Sequence, residues 1–192
     1  MHRLGRINGK NWPAVLEYAE SIRSGKKIAC LELRQAVDRF FRDLENPDYY
    51  IAPKGPEFCI QIIEKTLCHQ QGEKLDGTPL RGTPFLLEPF HKFIIYNLLG
   101  FKLTGTDVVR FHEALIFIPR KNIKTSFAAA LSWALSLWYR RSGSKTYIAA
   151  AALMQTLESF NFLTYNVRRM GEDAKKGGAV KIIDNNNEHS ME

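Results

Sequence analysis

The feature that most constrains this chain is a change of pattern in its second half. An apolar run over 114–118 gives way to the basic turn Pro119, Arg120, Lys121, Asn122, Ile123, Lys124, Thr125, and a longer apolar run then extends from Phe127 to Tyr139. A short apolar run bounded by turn residues reads as a buried strand. The longer one reads as a helix apolar nearly all round, which needs cover on several sides. Residues 145–151 repeat the strand pattern, and 153–169 carry a helical one. Strand, loop, helix, strand and helix in that order predict an α/β fold with a parallel sheet covered on both faces. The 127–139 run includes Ser132 and Ser136 and is too short to span a bilayer, so burial inside a soluble domain is expected.

Upstream the periodicity is helical. Trp12, Val15, Leu16, Ala19 and Ile22 share a face, with Gly25 as a natural stop. Leu33, Ala36, Val37, Phe40, Phe41 and Leu44 define a second helix ending at Asn46-Pro47. Pro56 can open a third, with Ile62, Ile63 and Leu67 on its apolar side and Gly72 closing it. The turn-rich stretch 75–84 places a boundary here, giving a helical amino-terminal region over 1–82 and the first part of an α/β domain over 83–192. Pro89 opens a further helix, with Phe90, Phe93, Ile94, Asn97 and Leu98 on one face. Residues 180–183 can form a short strand, and the polar stretch 184–192 suggests a domain incomplete at its carboxy end.

Composition narrows the function classes. The 192 residues are 45% apolar, enough for a real core. An excess of 27 Lys and Arg over 20 Asp and Glu, a formal +7, favours a polyanionic partner. Cys30, Cys59 and Cys68 form no CxxC pair, which argues against a disulfide framework and for a reducing compartment. Cys68-His69 admits two readings, a metal or catalytic pair or a helix-borne pair with one member buried, and the second is preferred because no ligand set surrounds it.

A strand running through a basic turn into Lys124-Thr125 at a helix start has the context of a phosphate-binding loop. Backbone N–H groups and the helix amino end can cradle an anion, Lys124 can reach terminal phosphates, and the Thr125 hydroxyl can hold Mg²⁺. Against GxxxxGK[ST], Ile118 and Ile123 stand where the two glycines belong. The alternative is an ordinary basic turn.

In wider context the segment resembles the Pro-Arg-Lys-Asn-Gly-Lys-Ser/Thr loop of phage large terminase subunits, matching six of its seven positions. The flanks are similar too. Phe85-Leu86-Leu87-Glu88-Pro89-Phe90-His91 resembles that family's Phe-x-Leu-x-Pro-Trp-Gln segment, thought to lie near adenine, and Arg39-Phe40-Phe41-Arg42-Asp43-Leu44 resembles one of its early helices. The likeness covers roughly residues 12–170.

The resemblance implies an incomplete P-loop NTPase of the ASCE type, the ATPase portion of a viral DNA-packaging motor that binds ATP and Mg²⁺ to drive DNA into a procapsid. By resemblance, Lys124 and Arg120 would stabilise phosphoryl charge, and Thr125 would ligate the metal. Pro119, Lys121, Asn122 and Ile123 would shape the loop, with Phe90 and His91 beside the base. The implied partners are double-stranded phage DNA, the portal protein, the small terminase subunit and other large-subunit copies in a ring, with no membrane, in the cytoplasm of a bacterial host.

Three residues depart from the family pattern: Phe90 for Trp, His91 for Gln, and Ile123 for the loop glycine. If the loop keeps its glycine-like backbone, Ile123 must sit at positive φ at a strain of about 1–3 kcal/mol. In 180–185, Lys181 interrupts the apolar run and Asn185 stands where a second acid would prepare water, so Asp184 makes a weak match to the family's acidic strand. The alternative reading is therefore an inactive truncated or split-gene remnant, acting at most as a nucleotide-binding or protein-docking module.

Overall fold

A computed structural model describes residues 7–119, 122–139, 145–185 and 188–192. Its contacts divide the chain into two compact units that interleave in sequence: the chain up to Gln61 with Leu87–Phe117, and Ile62–Leu86 with Ile118–Glu192.

The first unit is a helical cluster around aromatic rings. Helix α1 (Trp12–Arg23) begins with Pro13, whose fixed φ and missing N–H suit the first turn. Helix α2 (Leu31–Glu45) stops at Asn46-Pro47, where the Asp48 N–H donates to Asn46 Oδ1 at 2.8 Å and turns the chain into strand β1 (Tyr49–Ile51). After helix α3 (Lys54–Thr66), within which the unit boundary falls, helix α4 (Pro89–Gly100) runs directly into strand β2 (Phe101–Leu103). The two strands pair antiparallel, Tyr49 opposite Leu103 and Ile51 opposite Phe101.

Phe40 is fully buried and touches four rings, Trp12, Phe41, Phe93 and Phe101, at centroid separations of 5.2–5.9 Å. A polar clasp lies at the start of α1. Glu57 accepts from the Asn11 N–H at 2.7 Å, from Asn11 Nδ2 at 2.6 Å and from Tyr96 Oη at 2.5 Å, while Lys92 Nζ donates to Asn11 Oδ1 at 2.9 Å. Asn11 therefore spends its side chain on Glu57 and Lys92 and makes no side-chain cap on its own helix.

The second unit is organised by helix α6 (Leu153–Met170). Helix α5 (Lys124–Tyr139) turns Phe127, Ala129, Ala130 and Ala134 inward and packs against α6, the alanines permitting close approach. Phe160 and Val167 of α6 join Ile182 in a cluster with Trp133, Leu157 and Met191. Gly171 ends α6 in the left-handed conformation, with the Glu172 N–H returning to the Val167 carbonyl. Strands β3 (Ile182–Asp184) and β4 (His189–Met191) form an antiparallel pair, Ile182 opposite Met191. Residues 67–85 are tied to α6 by Asn166, whose Oδ1 accepts from the Cys68 N–H at 2.7 Å and whose Nδ2 donates to the Cys68 carbonyl at 3.1 Å.

The expected parallel P-loop sheet is not formed. The β-ladders among the described residues are two separate two-stranded antiparallel sheets, β1–β2 and β3–β4. Residues 114–118 and 145–151, expected as parallel strands, have no regular secondary structure, and most of their side chains are open to solvent. A strand exists only through its ladder, and parallel strands also need both faces covered. An apolar run supplies neither partner nor cover, and α5 directs its alanine face to α6. No helix among the described residues is long and apolar enough to cross a membrane.

Candidate functional site

Two groups of residues were expected to make one nucleotide site, and they belong to different units. Phe90 and His91 lie in the first unit, and Pro119 with 122–125 lies in the second. Arg120 and Lys121 lie outside the described residues.

In the second unit, Asn122 Nδ2 donates to the Pro119 carbonyl at 3.3 Å, and the Ile123 carbonyl accepts the Phe127 N–H at 2.8 Å as α5 begins. Ile123 has φ 54°, the one positive φ at a non-glycine among the described residues. It thus takes the backbone shape that the loop glycine would take, at the strain a β-branched side chain incurs there, about 1–3 kcal/mol. The Ile123 side chain is partly exposed, Lys124 is exposed at the first helical position, and Thr125 is half-buried behind it.

This arrangement differs from that of a glycine-lined phosphate-binding loop. The isoleucine side chain occupies the space that glycine leaves for a phosphate to approach backbone. The run before the turn is not the strand that would aim the loop. Among the described residues no group of three or more His, Cys, Asp or Glu side chains could hold a metal. Asp184 instead faces His189 Nδ1 across the β3–β4 pair at 2.8 Å. Together with the antiparallel sheets, these observations overturn the reading of the chain as a P-loop ATPase driving DNA translocation, and with it the Walker A assignment.

In the first unit, His91 is fully buried in a capping box at the start of α4. The Glu88 N–H donates to His91 Nδ1 at 3.2 Å, while the Glu88 side chain accepts from the His91 N–H. An accepting Nδ1 means that the neutral ring carries its proton on Nε2. Burial holds the imidazole neutral by lowering its pKa to about 4. Half-buried Phe90 lies against it, ring centroids 3.8 Å apart. The pattern Glu88-Pro89-Phe90-His91 thus folds as a helix start, with one imidazole nitrogen committed to the backbone.

Two features had no sequence signal strong enough to single them out. One is the ion cluster at Asp43, a buried carboxylate paired with Arg110 and 3.8 Å from Arg39 Nε. Arg110 also lies over the Tyr49 ring at 4.2 Å, and both arginines flank Phe111. Arg39 and Asp43 lie one turn apart on α2, but Arg110 and Phe111 come from a distant stretch of the chain, and only the fold brings the two pairs together. The other is the exposure of large apolar side chains: Leu115 at 93% and Phe117 at 94% in the first unit, and Tyr147 at 82% and Met154 at 73% in the second. For Leu115, Phe117 and Tyr147 the sequence pattern reads as buried strand, whereas the structure leaves all three exposed.

No protein-family model, curated protein or solved structure matches the chain.

Proposed function

We propose that this chain is a non-catalytic protein-docking module, related to large terminase subunits, that joins a DNA-packaging assembly in the cytoplasm of a bacterial host. The observation that carries the docking reading is the exposure of Leu115, Phe117, Tyr147 and Met154 in stretches that are mostly without regular structure. Large apolar side chains left in water favour association, at roughly 25 cal/mol per Å² removed from solvent. Stretches outside any ladder also keep backbone groups available to pair with another chain. The terminase relationship is supported by the Pro119 to Thr125 order and by the Phe85 to His91 flank. The partners it proposes are the portal protein, the small terminase subunit and further large-subunit copies.

Sedimentation velocity of the full chain, alone and mixed with portal protein or small terminase subunit, tests this reading. A heavier complex with one of them is expected, and the Phe117→Asp/Tyr147→Asp double variant should lose it, since both side chains are exposed and their replacement leaves each core intact. Absence of any complex, or a complex indifferent to both substitutions, contradicts docking through these stretches. Steady Mg-ATP hydrolysis abolished by Lys124→Ala would contradict the non-catalytic part.

A further inference from the structure

One face of α6 carries Asn161, Thr164, Tyr165, Arg168 and Arg169, spaced to fall together on a helix, and Gln70 faces them from the preceding segment. These six residues line a concavity of about 480 Å³ within the second unit, and none of them is acidic. A third guanidinium stands close by, with Arg81 over the Tyr165 ring at 5.6 Å. Two of the cations are tethered. Arg168 Nε is 3.5 Å from Asp173 Oδ2, and Arg169 donates one terminal nitrogen to the Thr66 carbonyl at 2.5 Å. Arg168 nevertheless keeps a side chain 51% exposed, and Arg169 is also exposed. Basic residues at a helix carboxy end complement its partial negative charge, which explains one arginine in this position. It does not explain the concavity, the neutral polar lining or Arg81.

We propose that this groove binds an acidic peptide segment of a partner protein. Guanidinium groups take carboxylates through two parallel hydrogen bonds, and Arg168 and Arg81 are exposed enough to do so. The neutral lining separates a peptide from a nucleic-acid backbone. Gln70 and Asn161 each present a donor and an acceptor, matching the alternating N–H and C=O of a peptide, whereas phosphodiester oxygens only accept. The basic residues also form a compact group; Lys181, farther along, is already paired with Glu192 at 2.9 Å. The proposal goes beyond docking through 114–118 and 145–151, because none of its residues lies there, and either can fail alone.

Fluorescence anisotropy of a labelled hexaglutamate peptide titrated with the full chain tests it. Saturable binding is expected, weakening as salt rises from about 0.05 M to about 0.3 M. Arg168→Gln and, separately, Arg81→Gln should each weaken it by about fivefold or more, while Lys26→Gln, an exposed lysine of the first unit, should leave it unchanged. Both arginines are exposed, so either variant tests the site if the other fails to fold. Absence of binding, or binding equally weakened by Lys26→Gln, overturns the proposal. A single-stranded oligonucleotide that binds more tightly than hexaglutamate with the same dependence on Arg168 also overturns it, by making the groove a phosphate site.

Discussion

Ile123 is held at φ 54° by the start of α5, because its carbonyl caps the first turn of that helix and the burial of Phe127, Ala129 and Ala130 sets the direction from which the chain must enter. Glycine relieves the Cβ clash at this position but loses more chain entropy on folding, for a net gain of about 1 kcal/mol. Ile123→Gly should therefore raise the urea midpoint with an unchanged slope, and a lowered midpoint would show that the side chain's packing outweighs the strain. His91 sets a second expectation, in pH. Its pKa falls from 6.5 unfolded to about 4 folded through burial, so the native state binds the proton less readily than the unfolded chain. The stability this contributes is complete above 6.5 and is lost as pH falls towards about 4, by up to about 3 kcal/mol. Denaturation midpoints should decline across that window, and an NMR titration of the His91 ring should give a midpoint well below that of an exposed histidine. A midpoint near 6.5 would place the ring in solvent.

Among the elements, the helices were legible and the sheet was not. The faces read from Trp12 to Ile22 and from Leu33 to Leu44 became α1 and α2, and Pro89 opened α4 as its residue type predicts. Helical hydrogen bonds are local, so periodicity, caps and breakers within a dozen or so residues suffice to define them. The pairing of Tyr49–Ile51 with Phe101–Leu103 depends on residues about fifty positions apart, and no local pattern announces it. The same blindness turned 114–118 and 145–151 into strands, since a short apolar run has the same appearance whether or not a ladder receives it. At the site, Ile123 was legible as a residue in a glycine's position, but the use of His91 as a capping acceptor was hidden, because Gln-like and capping roles draw on the same ring nitrogens. The attachment of 67–85 to α6 is similarly non-local, with Phe85 against the Phe162 ring and Asn166 supplying its buried polar contacts. Asn166 is fully buried and bonds both backbone groups of Cys68 as well as the Phe162 carbonyl. Asn166→Ala strands the Cys68 N–H and carbonyl, so a loss of about 2–3 kcal/mol is expected by chemical denaturation. A loss below about 0.5 kcal/mol would mean that water replaces the amide at little cost.

At the scale of the whole molecule, the two compact units exchange segments along the chain, so neither corresponds to a continuous stretch of sequence. Each has its own buried centre, Phe40 with its ring partners in one and the Phe160, Val167 and Ile182 cluster in the other. Both leave apolar surface open, which is the physical basis for reading the chain as a docking module and not as a self-sufficient motor. Amide hydrogen exchange on the full chain, with and without saturating Mg-ATP, tests that claim most directly. Rapid exchange is expected over 114–118 and 145–151 beside well-protected α5 and α6, unchanged by nucleotide. Slow exchange in both stretches, or slowing there on adding Mg-ATP, would contradict it by revealing a formed and nucleotide-responsive sheet.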